Sequence, residues 1–257
     1  MIRIGIVGAG VIGRRIAQIA SFQPSGAQIC GFLTRTEETT ADGEIPVTTS
    51  FDEFMAWHPD VVIEAAGQAA LAEYGPKIVA VGKTLVPASV GAFASPEIFD
   101  IFLATAKISN AKIRLASGAI AGLDGLAAAR AAGLRRVRYT GIMASIAGKN
   151  ADLGGSGEGR IQVFCGTARE AALKFPKNAN LTLTIALAGL GMDETEVTLY
   201  RDDTAGRNTH ELEAEGDFGT LKLSVQGARI SGTSPSSQIV PASLFNAAIG
   251  IYFLPIN

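Results

Sequence analysis

The feature that most constrains this chain is a glycine-spaced turn near its beginning. In RIGIVGAGVIGRRIAQIA, Gly8, Gly10 and Gly13 separate an apolar run at residues 3–7 from an amphipathic run at residues 11–21. The first run predicts a β-strand and the second a helix, so the G-x-G-x-x-G spacing occupies a strand-to-helix turn. That context predicts the pyrophosphate site of a dinucleotide. The alternative is a glycine-rich turn without a ligand.

Each residue of this turn has a physical reason to meet such a ligand. Gly8 permits the tight turn, Gly10 lets the backbone approach the pyrophosphate, and Gly13 lets the helix pack close to the strand. Val11 and Ile12 open the helix, where free N–H groups and the helix dipole favour an anion. These five residues are therefore predicted to bind the cofactor.

The end of the second predicted strand, residues 28–33, bears on the choice between NAD and NADP. NAD sites usually place an acidic residue there, about 20 residues beyond the glycines, to bind the ribose 2′-hydroxyl. Here GFLTRTEE offers Thr34 and Arg35, and Glu37 and Glu38 come too late in the turn. A guanidinium can pair with a 2′-phosphate, which predicts tolerance of NADP or preference for it. Alternatively, Arg35 is solvated and the protein accepts either cofactor.

A third predicted strand, residues 61–65, is followed by small residues. Ala65, Ala66 and Gly67 would let the nicotinamide half of the cofactor pass close to the backbone, and residues 86–93, VPASVGAF, form a second such edge. Open α/β sheets bind ligands at this edge, beyond the carboxyl ends of the strands. The alternative at each position is tight packing without a ligand.

Strands and helices alternate over the first part of the chain. Further strands are predicted at residues 84–87 and 112–115, and helices at 74–81 and 96–108. This alternation predicts a Rossmann domain at residues 1–115, an α/β fold with a doubly wound parallel sheet.

The pattern then changes to strands that follow one another. Residues 116–235 predict a second, α+β domain with a largely antiparallel sheet, and residues 236–257 a C-terminal helical segment. The predicted helices lie at residues 124–132, 167–174, 180–190 and 238–249, and the strands at 137–142, 160–165, 196–201, 209–214 and 221–225. The glycine-rich segment 148–159 predicts a loop.

Composition limits the class of protein. Of 257 residues, 47% are hydrophobic and 18% charged, with a net charge of −2, which is typical of a globular domain and gives no basic surplus for nucleic acid. We expect no membrane span, because no apolar run reaches about 18 residues. Two cysteines are too few for a disulfide framework, and no Cys/His spacing predicts a metal site. The chain begins in a strand, which predicts no signal peptide and a cytoplasmic protein.

Two histidines are available for acid–base chemistry. His58 precedes a proline and is interpreted as a surface turn residue, whereas His210 lies in the alternating segment NTHELEAEG. Alternation places His210 on the inward face with Leu212 and Ala214. This pattern favours a hydrogen-bonded core histidine. The alternative is a general acid–base in a cleft.

Other polar residues of the second domain are candidates for substrate binding. Lys177 and Asn178 precede a predicted helix and, with Arg169, would form a cationic, amide-rich mouth for an anionic substrate. Asn178 is also a candidate helix cap. Ser117 in SGAIAGLDG could approach a ligand. The alternatives are an ordinary capped helix with solvated lysines and, at Ser117, a hinge.

Together these segments resemble the L-aspartate dehydrogenase family. The resemblance rests on GIVGAGVIG, SGAIAGLDG, FCGTAREAALKFPKNANLTLTIALAG and NTHELEAEG. It implies NAD(P)-dependent oxidation of L-aspartate and a homodimer formed through the second domain. It also implies His210 as the active-site histidine and Ala119 and Asn180 as cofactor contacts. Residues 143–159 and the final residues IYFLPIN depart from the family's pattern.

The resemblance implies a mechanism and leaves alternatives. His210 would accept the amine proton, hydride would pass from Cα to the nicotinamide, and the iminosuccinate formed would hydrolyse to oxaloacetate and ammonia, all reversibly. Alternatives are a related two-domain oxidoreductase acting on another amino or hydroxy acid, a dihydrodipicolinate-reductase-like enzyme, and an NADP-binding sensor without turnover.

Overall fold

The computed structural model describes residues 1–23, 26–36, 45–144, 159–228, 230 and 236–250, and the chain divides into two compact units. Unit 1 comprises Met1–Ala116 and Val240–Asn257, and unit 2 comprises Ser117–Ile239. Several residues from the sequence analysis lie outside the described part of the chain: Glu37, Glu38, all but the last residue of segment 148–159, and the final IYFLPIN.

Unit 1 contains the predicted parallel sheet. Its strands are β1 (Ile2–Val7), β2 (Ala27–Leu33), β3 (Val47–Thr48), β4 (Val61–Glu64) and β5 (Thr84–Pro87). Their order is β3-β2-β1-β4-β5, and every pair is parallel. The predicted doubly wound fold is confirmed. All four residues of β4 are buried, which accounts for its continuous apolar sequence up to Glu64.

Four helices of unit 1 precede its boundary: α1 (Val11–Phe22), α2 (Phe51–Ala56), α3 (Gln68–Ala80) and α4 (Pro96–Ser109). A 3₁₀-helix at Val90–Ala94 follows β5. Helix α3 begins six residues before its predicted start at residue 74. Helix α2 was not predicted, although Ser50 accepts a hydrogen bond from the Glu53 N–H, an N-terminal signal visible in the sequence.

The prediction of a strand at residues 112–115 is wrong. Only Ile113 forms a bridge, opposite Leu85 of β5. The Leu85 N–H donates to the Lys112 carbonyl at 2.8 Å, and the Arg114 N–H donates to the Leu85 carbonyl at 2.9 Å. The segment touches the outer edge of β5 at a single residue and does not continue the ladder.

Unit 2 is built on a mixed sheet of five strands. Strands β6 (Leu134–Ala144) and β8 (Glu196–Asp202) are parallel, and the other three pairs are antiparallel, which confirms the predicted largely antiparallel sheet. The remaining strands are β7 (Arg160–Thr167), β9 (Asn208–Gly216) and β10 (Gly219–Gly227), in the order β10-β9-β6-β8-β7. The helices are α5 (Leu123–Ala131), α6 (Ala168–Lys174) and α7 (Ala179–Ala188).

The last described helix, α8 (Ile239–Ile249), lies almost wholly in unit 1. Leu244, Phe245 and Ala248 are buried in the same cluster as the β1 residues Ile4 and Ile6. The Arg114 guanidinium donates to the carbonyls of Ala247 and Ala248 at 3.2 and 3.1 Å, where a cation favours the negative end of a helix. Helix α8 therefore belongs to the core of the first unit. Among the described residues, no helix is long and apolar enough to cross a bilayer.

Candidate active site

Two glycines of the turn after β1 are required by packing alone. Gly8 has φ +102°, a conformation that favours glycine, and a Cβ there would lie 2.8 Å from the Ala66 Cβ. A Cβ on Gly13 would lie 2.0 Å from the Gly8 carbonyl oxygen. These glycines let α1 pack against the end of β1 and would be needed even without a ligand.

Gly10 is different, because packing within the protein does not require a glycine at this position. Its φ is −72°, and a Cβ there would meet no atom of the described residues within 4 Å. Gly10 occupies the N-cap position of α1 and supplies no side-chain hydrogen bond to the helix. No acidic residue occupies the first turn, and Val11 is 53% exposed. Open space before an uncapped helix N-terminus fits a pyrophosphate. The predicted contacts Gly8, Gly10, Val11, Ile12 and Gly13 form this turn.

The carboxyl ends of β4 and β5 are joined by a buried glutamate that the sequence analysis did not single out. Glu64 is 1% exposed, and its carboxylate accepts hydrogen bonds from the N–H groups of Ala66, Gly67 and Ser89 and from the Ser89 hydroxyl. The predicted cofactor contacts Ala65, Ala66 and Gly67 thus lie in a segment tied to Glu64. The sequence signal that could have identified Glu64 was an acidic residue within the apolar run VVIEAAG.

At the end of β2, the predicted ribose contacts differ in role. Thr34 is buried, its hydroxyl donates to the Thr36 carbonyl at 2.7 Å, and its N–H donates to the Thr48 carbonyl at 2.9 Å. Its polar groups therefore hold the turn itself. Arg35 is exposed, and its positive charge acts to lower the pKa of the Tyr74 hydroxyl, which burial and Glu73 raise overall. Arg35 is thus available to an anion near Tyr74.

His210 lies on β9 with its imidazole on the buried face, as the alternation predicts. It is 8% exposed, and Leu212 and Ala214 on the same face are buried. Burial lowers the pKa of His210 to about 4, so the ring is neutral at neutral pH. Its Nδ1 lies 2.9 Å from the Tyr139 hydroxyl, and the two rings are 22° from parallel. Within the described part of the chain, the hydrogen bond of this ring is made by Nδ1 and not by Nε2.

Tyr139 is a second residue that the sequence analysis missed. It lies on β6, and burial raises the pKa of its phenol. Gly141 pairs with His210 across the β6–β9 ladder, and a Cβ on Gly141 would lie 2.9 Å from the Tyr139 hydroxyl. The glycine therefore makes room for the phenol–imidazole contact. Alternation along β6 could have placed Tyr139 on the inward face. Its contact with His210 depends on the register between β6 and β9, which the sequence pattern does not give.

The remaining predicted contacts of unit 2 lie in two segments. Ser117 and Ala119 are half-buried in a turn closed by a 3.2 Å hydrogen bond from the Ile120 N–H to the Ser117 carbonyl. Asn180 is half-buried in the first turn of α7, and its carbonyl accepts from the Thr184 hydroxyl at 2.8 Å. Their predicted roles remain predictions.

The lysine–asparagine segment before α7 forms a 3₁₀-helix, Pro176–Asn178, with Lys177 exposed. Asn178 occupies the N-cap position of α7, but its side chain makes no capping hydrogen bond. The prediction that it caps this helix is therefore wrong. Its φ of −108° and ψ of 1° differ from the extended conformation in which a side chain usually caps.

The structure gives Arg169 a partner of its own. Its guanidinium donates through Nε and Nη2 to the two carboxylate oxygens of Asp193 at 2.7 and 2.8 Å, and this pairing lowers the pKa of Asp193. A substrate carboxylate at Arg169 would have to compete with Asp193. The predicted substrate role of Arg169 remains a prediction.

Two family profiles divide the chain between them. Residues 124–250 match the profile described as aspartate dehydrogenase, C-terminal. Residues 8–116 match the profile described as homoserine dehydrogenase, NAD binding domain. The match to a nucleotide-binding domain starts at Gly8, the first glycine of the turn.

Similarity to individual proteins extends over the whole chain. L-aspartate dehydrogenase 1 of Bordetella pertussis is 47% identical over 256 residues, which cover 100% of this chain and 98% of the relative. The crystal structure of aspartate dehydrogenase from Thermotoga maritima has a TM-score of 0.74 at 22% identity, covering 96% and 93% of the two chains. A hyperthermophilic archaeal homoserine dehydrogenase in complex with NADPH has a TM-score of 0.60 at 12% identity and covers 98% of each chain.

Gly10→Ala should separate folding from cofactor binding. The added methyl meets no atom within 4 Å in the described ranges of the chain and φ is negative, so the melting temperature should stay near that of the wild type. The dissociation constants of NAD and NADP should rise at least about tenfold if the pyrophosphate occupies this space. Calorimetric titration measures both. Gly206→Ala, another open position, is the control; unchanged affinity in Gly10→Ala would exclude this pyrophosphate position.

His210 should stay neutral until the pH approaches about 4. The chain has two histidines, so ¹⁵N-histidine NMR in a His58→Asn background reports His210 alone. Asparagine suits position 58, where φ is +51°. A midpoint near the usual 6.5 would contradict the burial of the imidazole.

The same shift predicts how stability depends on pH. The folded pKa lies below the unfolded one, so the unfolded chain binds the proton first as the pH falls. The fold should therefore lose roughly 3 kcal/mol between about pH 6.5 and 4 through this group. Urea unfolding of the wild type and of His210→Gln across this pH range measures the free energy of unfolding of each. Parallel plots of that free energy against pH would contradict the prediction.

Proposed function

Since this chain belongs to the L-aspartate dehydrogenase family, we propose that it catalyses the reversible NAD(P)-dependent oxidation of L-aspartate to iminosuccinate. Water then converts iminosuccinate to oxaloacetate and ammonia. The observation that carries the proposal is the 47% identity to L-aspartate dehydrogenase 1 of Bordetella pertussis over the whole chain. The neutral, buried His210 supplies an acid–base group suited to this reaction.

Unit 1 binds the cofactor in this proposal. The pyrophosphate rests on the turn Gly8–Gly13, where Gly10 leaves open space before the uncapped N-terminus of α1. Ala65, Ala66 and Gly67 would hold the nicotinamide half. The family resemblance implies Ala119 and Asn180 as further cofactor contacts. When bound, the nicotinamide accepts the hydride that leaves the substrate Cα.

His210 manages the proton of the substrate amine. Hydride cannot leave a carbon that bears an ammonium group, because the nitrogen lone pair must form the C=N bond. Neutral His210 accepts that proton at Nε2 when Nδ1–H donates to the Tyr139 hydroxyl oxygen, a tautomer that their 2.9 Å contact permits. In the reverse direction the imidazolium returns the proton to nitrogen.

The charge of the substrate strengthens this base. A pKa of about 4 makes His210 a weak base in the empty protein. L-aspartate brings two carboxylates against one ammonium group, so its net charge is negative, and nearby negative charge raises the pKa of an imidazole. Binding of the dicarboxylate therefore moves His210 toward the basicity that proton transfer needs.

Lys177, Asn178 and Ser117 are the proposed partners of the substrate carboxylates. Lys177 is exposed and adjoins Asn178 in one 3₁₀-helix, so both offer polar groups from a single short element. Arg169 also belongs to the predicted set, and a substrate carboxylate would compete there with Asp193, whose two carboxylate oxygens accept from its guanidinium.

We also propose a preference for NADP, a homodimer formed through unit 2, and a cytoplasmic location. Exposed Arg35 supports the first, and the family resemblance supports the second. The two cysteines are free thiols, Cys30 buried and Cys165 exposed, which suits a reducing compartment.

His210→Gln should lower kcat for L-aspartate about 100-fold or more, the usual contribution of acid–base catalysis. Its dissociation constant for the cofactor should not change, since only the proton step is removed. Steady-state assays with NAD and NADP, paired with calorimetry, measure the two quantities. His58→Asn is the control and should keep wild-type rates; equal rates in His210→Gln would rule out the acid–base role.

A substrate panel tests the proposed reaction itself. Wild-type protein should reduce NAD or NADP with L-aspartate faster than with other amino acids or with hydroxy acids. Faster turnover of another compound would favour the related-oxidoreductase alternative. Cofactor binding without reduction by any of them would favour a sensor.

Arg35→Ala should raise the dissociation constant of NADP about tenfold and leave that of NAD little changed, because only NADP carries the 2′-phosphate that a guanidinium pairs with. Lys107→Ala removes another exposed positive charge, from α4, and controls for net charge. If both cofactors weaken equally, or neither does, Arg35 does not recognise the 2′-phosphate.

A further inference from the structure

A buried carboxylate ties together two backbone segments at the edge of the unit 1 sheet. Glu64 is the last residue of β4 and is 1% exposed. Its Oε1 accepts from the Ala66 and Gly67 N–H groups at 2.7 and 2.8 Å and from the Ser89 hydroxyl at 2.9 Å. Its Oε2 accepts from the Ser89 N–H at 3.0 Å. One side chain thus holds the segments that follow β4 and β5.

The surroundings of this carboxylate match its ionised form. An ionised carboxylate only accepts hydrogen bonds, and all four recorded partners can donate. Its sheet neighbours are Val7 on β1 and Pro87 on β5, and neither carries a charge. Burial raises the pKa of Glu64, and the four donors oppose that rise.

The two segments that Glu64 holds lie where a parallel sheet binds its ligand. Parallel sheets bind ligands beyond the carboxyl ends of their strands, and Ala65–Gly67 and Ser89 lie at the ends of neighbouring strands β4 and β5. Gly67 has φ +115°, and among the residues that the structure describes none would lie within 4 Å of a Cβ there. Its N–H nevertheless points to Glu64 and fixes the peptide that precedes α3.

We propose that Glu64 is the positioning residue for the nicotinamide half of the cofactor, acting through the backbone of Ala66, Gly67 and Ser89. It does not contact the substrate or supply a proton. It fixes the two segments before the cofactor binds, so that binding costs less ordering of the backbone. The inference rests on the proposed binding of NAD(P) by unit 1.

Glu64→Gln keeps the shape of the side chain but replaces one acceptor oxygen with an NH₂ group that faces donors. The dissociation constants of NAD and NADP should rise about tenfold, the effect of losing one buried charged hydrogen bond. KM for L-aspartate at saturating cofactor should stay near the wild-type value. Ser89→Ala removes only the hydroxyl donor and should show a smaller rise, and it serves as the test if Glu64→Gln does not fold.

Hydrogen exchange without cofactor gives a readout that does not depend on activity. The amides of Ala66, Gly67 and Ser89 should exchange faster in Glu64→Gln than in the wild type, while the amides of β1 should not change. Glu170→Gln is the matched control, since Glu170 accepts from the Thr167 N–H and hydroxyl in unit 2. It should leave the cofactor affinity and these three amides unaltered.

The pH profile separates positioning from general stability. Protonation of Glu64 places an O–H among donors, so wild-type affinity for the cofactor should fall as the pH falls through the raised pKa. Glu64→Gln should lack this fall, whereas titration of the cofactor's own phosphates is common to both proteins. Equal affinity and equal profiles in wild type and Glu64→Gln would overturn the inference. No binding of NAD or NADP by the wild type would instead overturn the proposed function.

Discussion

The closeness of α1 to the end of β1 is the constraint on which the nucleotide-binding half depends. A methyl group on Gly13 would lie 2.0 Å from the Gly8 carbonyl, and one on Gly8 would lie 2.8 Å from Ala66 of the neighbouring strand end. Side chains at these positions would push the helix and the strand ends apart. Their absence brings the uncapped N-terminus of α1 to the edge where β1 and β4 end. Gly10 adds the open space, so packing and the proposed ligand binding use different glycines of one motif.

Glu64 and His210 are both buried and ionisable, and the fold accommodates them in opposite ways. Glu64 faces four hydrogen-bond donors, so its charge is compensated where it lies. Among the described residues, the His210 ring has one hydrogen-bond partner, Tyr139, and burial keeps the ring neutral. A compensated charge stiffens the backbone that donates to it, whereas an uncharged imidazole can still gain a proton. The first arrangement suits positioning and the second suits acid–base work.

Patterns of period two and of strand–helix alternation predicted much of this structure. They placed four of the five parallel strands and the inward face of His210, because burial on a sheet follows directly from alternation. They failed where tertiary contacts decide, at residues 112–115, which meet β5 at one residue. They placed the helix α8 but did not indicate that it packs in the core of unit 1. Tyr139 and Glu64 were missed because strand register and adjoining loops supply their partners. Asn178 failed as a cap because its backbone conformation overrides its residue type.

The depressed pKa of His210 offers a physical route to selectivity for a dicarboxylate. In the empty protein, burial holds the pKa near 4, so few protons bind at neutral pH. Each carboxylate brought near the ring raises that pKa, and each unit of rise is worth about 1.4 kcal/mol in proton affinity. An amino acid with one carboxylate supplies one such charge and L-aspartate supplies two. In the proposed mechanism, the substrate with more negative charge therefore generates the stronger base, which would link recognition of its carboxylates to the proton step that precedes hydride transfer.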